Sequence, residues 1–311
     1  MSEKKDLFEG KLNIDDLERS VIEPREYGKE DRFRFQCYPG IPCFTKCCSG
    51  VRINLTPYDI WRLKNHLNMS YDEFLTTYTI PSSIDRTPLP VVVLKMQEDA
   101  DKTCPFLQGP EKGCTVYEDR PSTCRYYPVG RAHMRKVDEP ELREFYVMIK
   151  EDHCLGHKEQ KEWTLQQWRE DQGADYYDDV TKDWLAVVIK AKSLGITEFS
   201  KQSLDLFFMV SSNLDMFRRF VFESRFLESY EIDPETVERI RNDELELLKF
   251  SLQWLRFTFF GEGDFKVKDE AKARAAERQK LLAQARKKEF EARERKATED
   301  LAKLKEMKGK K

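Results

Sequence analysis

Eight cysteines are the residues of this sequence whose type and spacing could do chemistry. They stand at positions Cys37, Cys43, Cys47, Cys48, Cys104, Cys114, Cys124 and Cys154. The 157 residues that follow the last one contain no cysteine. Buried cysteines that act as small apolar side chains would be scattered more evenly along the chain. Because thiolates bind soft or borderline metals, the clustering predicts a metal-binding region.

The spacing of the cysteines bears on which metal they bind. Four thiolates complete a tetrahedral zinc site, or supply one ligand to each iron of a [4Fe–4S] cluster. The intervals are x5, x3, none, x55, x9, x9 and x29, so the Cys-x2-Cys pair typical of zinc knuckles is absent. The spacing therefore weakens a plain zinc-finger interpretation without excluding zinc, and the choice between zinc and an iron–sulfur cluster stays open at this point.

The number of centres stays open at this point. Eight thiolates could fill two sites, or one site with cysteines to spare. The adjacent Cys47 and Cys48 point in different directions in most backbone conformations, so they could serve two centres or only one. Isolated thiolates in a core are costly. We therefore expect the group at 37–48 and the group at 104–154 to converge in space.

The N-terminal sequence and the hydropathy bear on location. The first 20 residues contain no apolar stretch of the kind found in secretory signals. No segment is apolar over a length that spans a bilayer. We expect a cytoplasmic protein that does not bind membranes. Cytosolic thiols stay reduced, which again favours metal ligands over disulfides.

Short elements are predicted for the half that contains the cysteines. A Thr-Pro pair at 56–57 predicts a capped helix with Pro in its first turn. The β-branched run 91–96 predicts a buried strand. Two apolar runs flank a Gly/Pro turn at 109–113, and they predict a hairpin that carries Cys104 and Cys114.

Helical patterns dominate the rest of the chain. A capping box at 164–167 opens the first helix, and apolar residues at helical spacing follow over 180–194. An Asp-Pro start at 233–234 predicts one long helix that ends at Gly261. We expect an α+β fold that is mainly helical. In it, a small irregular cysteine module with short strands packs on a helical C-terminal half.

The predicted domains follow from these patterns. A cysteine-cluster module covers 31–160, a helical region that packs on it covers 161–263, and a charged helical tail covers 264–311. Residues 266–311 hold 17 Lys and Arg against 9 Asp and Glu, whereas the rest of the chain is acidic. This basic tail is the only hint of nucleic-acid binding. Since it has one aromatic residue for stacking, we do not expect a nucleic-acid partner, and a protein partner stays open.

Three other side chains near the cysteines are candidate functional groups. Arg120 and Arg125 could stabilise thiolates or an anion, but salt bridges that fix a turn are the favoured interpretation. His153 could replace a cysteine as a metal ligand. Phosphate-binding motifs of the GxxxxGK[ST] and GxGxxG types are absent. The sequence therefore assigns no catalytic residue and leaves enzyme activity undecided.

Several blocks of the sequence resemble a known family. They read FQCYPGIPCFTKCCSG, CPFL, GCTVYEDRPSTCRYYP and HCLGHKEQKEWTLQQW, and they span residues 33–170. They are similar to the YkgJ-type cysteine-cluster family, also called the CxxCxxCC or zinc- or iron-chelating domain. More distantly, they resemble the cysteine-rich part of flagellin lysine N-methylases, which is associated with an iron–sulfur cluster.

The resemblance makes all eight cysteines candidate ligands. The short first spacing of the family is expanded here to x5 and x3, which leaves Cys37 or Cys43 as the least secure ligand. The leading function is metal binding, by an iron–sulfur cluster, with unknown downstream activity. One alternative is a protein-modifying enzyme, similar to a lysine methylase, with a structural or redox centre. The other is a zinc-stabilised interaction module.

Overall fold

The computed structural model describes residues 22–23, 25–135 and 142–278, together with positions 280, 281, 284, 288 and 293. The chain divides into two compact units. The first unit comprises Met1–Phe217 and Asn242–Gly263, and the second comprises Arg218–Arg241 and Asp264–Lys311. All eight cysteines belong to the first unit. The boundaries expected from the sequence, at 31–160, 161–263 and 264–311, stay predictions.

The fold is α+β and mainly helical, as the sequence predicts. The helices are α1 Pro57–His66, α2 Tyr71–Tyr78, α3 Gly109–Lys112, α4 Ser122–Tyr126, α5 Leu165–Asp171, α6 Ala174–Ser193, α7 Lys201–Ser212, α8 Leu214–Glu223, α9 Phe226–Ser229, α10 Pro234–Asn242 and α11 Glu244–Phe260. The strands are β1 Arg32–Arg34, β2 Asn54–Leu55, β3 Thr79–Ser83, β4 Pro90–Leu94, β5 Val129–Arg135, β6 Leu142–Met148, β7 Glu162–Thr164, β8 Tyr230–Glu231 and β9 Lys266–Val267. Among these described helices, none combines the length and the apolar character needed to cross a membrane.

Three small antiparallel sheets build the cysteine half. One has the strand order β2-β4-β3, and its central strand β4 confirms the strand predicted at 91–96. Strands β5 and β6 form a hairpin in the register Ala132↔Phe145. Strands β1 and β7 pair in the register Phe33↔Trp163. This last pair joins the two ends of the cysteine half, although 129 residues lie between Phe33 and Trp163.

Capping boxes begin two of the helices where the sequence predicts them. In α1 the backbone N–H of Asp59 donates to Thr56 Oγ1 over 3.1 Å, and the N–H of Thr56 donates to Asp59 Oδ2 over 2.9 Å. Thr164 and Gln167 make the same reciprocal contacts at the start of α5. Each box satisfies amide donors that the first helical turn leaves without partners.

The helical half of the first unit packs on the cysteine half. Helix α6 contacts α4, which carries Cys124, and helix α7 contacts β4. Helix α11 packs against α6 and α7 through an apolar face that includes the fully buried Leu252 and Leu255. Helix α6 ends before Gly195, whose φ of +61° lies in the left-handed region, so the predicted stop is confirmed.

The single helix predicted over 233–259 is wrong, because the structure contains two helices there. Helix α10 ends at Asn242, and α11 begins at Glu244. Between them Asp243 is extended, and its carboxylate accepts from the backbone N–H groups of Leu245 and Glu246. These hydrogen bonds favour the start of a new helix at Glu244 over the continuation of α10 through Asp243.

The second unit contains the beginning of the basic tail. Strand β9 lies within this tail and pairs with β8 in the register Tyr230↔Val267. Lys268 Nζ donates to the carbonyl of Leu227 over 3.0 Å. The first residues of the tail are therefore part of a paired element. Most of the tail beyond residue 278 lies outside the described residues.

Candidate metal centre

One cavity brings the two cysteine groups together. It has a volume of about 500 Å³, and its lining includes Cys37, Cys47, Cys48, Cys104, Cys114 and Cys124. Most of its other walls are apolar, with Phe35, Ile53 and Trp168 among them. Both groups thus face the same space, although 55 residues separate Cys48 from Cys104.

Backbone pairing holds Cys48 beside Cys104. The N–H of Cys104 donates to the carbonyl of Cys48 over 2.8 Å, and Ser49 and Thr103 form an antiparallel bridge next to it. Cys48 ends a short 3₁₀ turn, Lys46–Cys48, which follows Thr45 in the left-handed region at a φ of +69°. The contact that joins the two cysteine groups is therefore made by the main chain.

The hairpin predicted around residues 109–113 is wrong. Cys104 and Cys114 are connected through the short helix α3, and a single bridge, Leu107↔Cys114, stands where a ladder was expected. Pro110 lies in the first turn of α3, where its missing N–H leaves no bond unmade. The chain still folds back, because the N–H of Thr115 donates to the carbonyl of Phe106 over 2.8 Å.

Cys124 is positioned by a buried carboxylate that the sequence analysis missed. It lies on α4, whose first residue Ser122 donates to Asp59 Oδ1 through its backbone N–H and its hydroxyl, both over 2.8 Å. Asp59 is fully buried. The capping pattern at Thr56 could identify Asp59 as part of a helix start, but nothing in the sequence connects it to Ser122.

The two remaining cysteines, Cys43 and Cys154, line a second, smaller cavity, together with Cys37 and Cys47, which line both. It has a volume of about 10 Å³, and four cysteines line it, namely Cys37, Cys43, Cys47 and Cys154. The N–H of Leu155 donates to Cys43 Sγ over 3.2 Å. The N–H of Gln36 donates to the carbonyl of Gly156 over 3.1 Å, which brings the segments of Cys37 and Cys154 together. Cys37 is exposed and Cys43 is buried.

Burial dominates the electrostatics of the thiols. It raises the pKa of Cys37 to about 12 and that of Cys104 to about 11. Burial likewise raises the pKa of Cys114, Cys124 and Cys154. In Cys104 and Cys114 the largest opposing effect comes from the backbone amide two residues further on, whereas in Cys154 it comes from the hydroxyl of Tyr127 and then from the amide of Gly156. These thiols are therefore neutral near pH 7 without a metal, and metal binding must displace their protons.

The adjacent pair Cys47 and Cys48 titrates as one unit. The hydrogen bond between their sulfurs is the largest influence on both, and it raises the pKa of Cys48 while it lowers that of Cys47. Because the two thiols interact, the pKa of the first deprotonation is a property of the pair and is not assigned to either residue. The pair thus supplies one thiolate more readily than the buried thiols around it.

The two arginines fix a turn, but not through the predicted salt bridges. Arg120 donates to the carbonyl of Tyr117 and to Gln172 Oε1. Arg125 donates to the carbonyls of Glu118, Arg120 and Gln172. Their hydrogen-bond partners are thus neutral carbonyl oxygens, and each guanidinium group also lies over a tyrosine ring, Tyr117 for Arg120 and Tyr177 for Arg125. Burial raises the pKa of Cys114, and the charge of Arg120 opposes that effect.

His153 lies on the wall of the small cavity. Its Nε2 is 3.4 Å from Glu151 Oε2, and its side chain is partly exposed. The nearby hydroxyl of Tyr127 is buried and lies beside Cys154 and Glu151. This hydroxyl opposes the effect of burial on the pKa of Cys154, so Tyr127 would be a donor to a thiolate there.

Within the described part of the chain, no group of three or more His, Cys, Asp or Glu side chains is arranged to hold a metal ion as it stands. Zinc would need four sulfurs at about 2.3 Å from one point. The thiols surround their cavities without meeting in that way. The assignment of the eight cysteines as ligands therefore stays a prediction.

Comparison with known proteins gives one match. Residues 36–161, about two fifths of the chain, match the family model CxxCxxCC, which is described as a "Putative zinc- or iron-chelating domain". No curated protein and no solved structure matches the chain. The likeness to flagellin lysine N-methylases therefore stays a prediction. Residues 36–161 are therefore similar to a cysteine-cluster family whose description supports metal binding by this part of the chain.

Proposed function

We propose that the chain binds an iron–sulfur cluster through Cys48, Cys104, Cys114 and Cys124. One observation carries the proposal, namely that these four thiols, from three separate segments, line a single cavity of about 500 Å³, which Cys37 and Cys47 also line. A mononuclear ion needs far less room than this cavity offers. A cluster takes one thiolate at each iron, so its ligands are spread around a larger centre.

The charges around these four cysteines support the proposal. Cys124 has Cys104 and Cys114 as electrostatic neighbours, and Cys48 has Cys124 and Cys104. Four neighbouring thiolates repel one another unless a cation compensates them. Arg120 contributes positive charge beside Cys114, and the amides that face the sulfurs are donors for thiolates. A reducing compartment such as the cytoplasm would keep these thiols available.

Anaerobic purification with metal and sulfide analysis tests this function. We expect iron and acid-labile sulfide, and a broad absorption near about 400 nm. Cys114→Ser should remove the absorption and most of the iron. The matched control is Thr123→Val, which changes a neighbouring side chain of the same cavity and should retain both. A colourless chain that holds zinc without sulfide would refute the cluster.

An enzyme that acts beside the centre is a second candidate. The observation that favours it is the size and apolar lining of the same cavity, because pockets for organic ligands have volumes of about 300–1,000 Å³. A lysine methylase-like activity would require a bound methyl donor. Calorimetric titration of the anaerobic protein with S-adenosylmethionine tests this candidate. Saturable binding would support it, and the absence of heat would leave only the metal-binding function.

A further inference from the structure

One wall of the large cavity carries no cysteine. The last cysteine of its lining along the chain is Cys124, whereas strand β7 and helix α5 line it with Trp163 and Trp168. Gln172, which follows α5, lies on the same wall. This tryptophan wall, formed by Trp163 and Trp168, can therefore contact a molecule that the cysteines do not bind.

Two indole rings give this wall an aromatic surface. The rings of Trp163 and Trp168 meet edge to face with their centroids 5.3 Å apart, and the ring of Phe35 meets Trp168 in the same way at 5.4 Å. The indole N–H of Trp163 donates to the carbonyl of Phe35 over 2.8 Å, and that of Trp168 donates to the carbonyl of Tyr126 over 3.2 Å. Because the main chain binds both indole N–H groups, the wall offers ring carbon to the cavity. Such a surface packs well against an aromatic ligand.

Arg120 brings a buried positive charge to the same cavity. It is 8% exposed, and it is joined to the tryptophan wall because it donates to Gln172 Oε1. Its other partners within the described part of the chain are the carbonyl and the ring of Tyr117, so no carboxylate is among them. The other charged residues of the lining are exposed or half-buried, namely Arg52, Glu151, Lys161 and Asp171. Since water screens those charges more than that of Arg120, the buried charge favours an anion inside the cavity.

Arg125 provides a comparison, because the chain itself uses its donors. It is 7% exposed, and its guanidinium group lies over the ring of Tyr177. Its Nε, Nη1 and Nη2 all donate to carbonyls, whereas Arg120 donates through Nη1 and Nη2. Of these two arginines, Arg120 is the one that lines the cavity in the described part of the chain. They are therefore a matched pair in burial and in the type of partner.

We infer that the large cavity binds a small aromatic carboxylate, whose ring packs on the tryptophan wall and whose carboxylate group is held by Arg120. The cavity volume of about 500 Å³ lies within the range of pockets for organic ligands, about 300–1,000 Å³. An arginine and a carboxylate form charge-assisted hydrogen bonds, which are roughly twice as strong as neutral ones. The inference goes beyond metal binding and uses no cysteine, so it does not rest on the proposed cluster.

Calorimetric titration of the full chain, purified anaerobically with the metal that it holds, tests this inference. The probe is naphthoate, and naphthamide is its neutral counterpart of the same shape. We expect one naphthoate per chain, bound at least about tenfold more tightly than naphthamide, because only the carboxylate can pair with Arg120. Hexanoate should bind more weakly than naphthoate, because it lacks the ring. Equal affinities for naphthoate and naphthamide would overturn the role of the charge, and tighter binding of hexanoate would overturn the role of the ring.

The matched variants are Arg120→Gln and Arg125→Gln, each checked for folding by circular dichroism. Arg120→Gln should lose the preference for naphthoate over naphthamide, and Arg125→Gln should keep it. If Arg120 only compensates the charge of neighbouring thiolates, Arg120→Gln will keep the preference, and the inference is overturned. The comparison of the two probes in the wild-type chain decides the question if Arg120→Gln does not fold.

Metal content, measured before and after the titration, distinguishes this inference from the proposed cluster. We expect naphthoate to leave the metal content unchanged, because the tryptophan wall contains no cysteine. A chain that holds iron but does not bind naphthoate would overturn this inference alone, and a chain that binds naphthoate without holding iron would overturn the cluster alone. Release of the metal by naphthoate would show that both occupy one place, and it would overturn the assignment to the tryptophan wall.

Discussion

The buried carboxylate of Asp59 offers a direct test of how the cavity is held together. Asp59 Oδ2 accepts from the N–H of Thr56 in its own helix, and Oδ1 accepts two hydrogen bonds from Ser122. Because Ser122 begins the helix that carries Cys124, Asp59 connects α1 to a candidate ligand. Asp59→Asn keeps the shape of the side chain but replaces one acceptor oxygen with an NH₂ donor.

The loss of stability expected for Asp59→Asn follows from the number of hydrogen bonds that the carboxylate accepts. The amide oxygen of an asparagine can serve either Ser122 or Thr56, and the NH₂ group then faces a donor on the other side. Loss of one hydrogen bond to a charged group costs about 1.5–3 kcal/mol. Burial raises the pKa of Asp59, so removal of the charge recovers part of this cost, and we expect a net loss of about 2 kcal/mol.

The assay is thermal unfolding of the metal-loaded protein, together with the rate at which a chelator removes the metal. For a domain of this size, a loss of about 2 kcal/mol lowers the melting temperature by about 4–8 °C. We also expect faster metal release, because α4 is no longer held. The matched control is Glu73→Gln, in the same capping position of α2 but exposed and without a contact to the cysteine region. Equal melting temperatures and release rates in both variants would refute the reasoning.

Four further predictions concern the same domain and the tail. Gly156→Ala should lower the free energy of unfolding by about 1–3 kcal/mol, because an added Cβ would lie 2.7 Å from Phe35 Cε2; an unchanged denaturant midpoint would contradict this. Tyr127→Phe should destabilise the metal-loaded protein more than the metal-free protein, because the Tyr127 hydroxyl lowers the pKa of Cys154 and a thiolate there would lose a donor; calorimetry of both forms measures the difference, and equal effects on the two forms would contradict this. The metal-free protein should lose stability as pH rises from about 8.5, since the folded state holds thiol protons up to a pKa of about 11 or 12 and the unfolded state does not; urea unfolding across this range should show the fall, and the metal-loaded form should not share it. A chain that ends at Arg278, after the paired strand β9, should keep its metal content, and loss of metal on this truncation would show that the distal tail stabilises the centre.

The sequence predicts those parts of the fold whose interacting residues lie close together along the chain. The capping boxes at Thr56 and Thr164 are examples, because each involves partners only three residues apart. The buried strand at Pro90–Leu94 is another, since β-branched residues without alternation indicate burial on both faces. The clustering of the cysteines likewise indicates metal binding without any knowledge of the fold.

The sequence does not predict features that depend on distant contacts. Apolar runs around residues 109–113 fit a hairpin, but the helical turn α3 replaces the ladder there. The periodicity across Asp243 suggests one helix, because the apolar pattern continues through the residue that caps the second. The grouping of the cysteines depends on the bonds from Gln36 to Gly156 and from Cys104 to Cys48. No local pattern encodes these two bonds.

The adjacent pair Cys47–Cys48 explains how one short segment can serve two cavities. The pair lies in a 3₁₀ turn, in which three residues complete one turn, so neighbouring side chains point about 120° apart. Cys47 lines both cavities, whereas Cys48 lines the large one. The hydrogen bond between their sulfurs in the metal-free chain means that a charge gained at one cavity is felt at the other across a single residue step. A cation bound at either sulfur should therefore change the pKa of the other thiol.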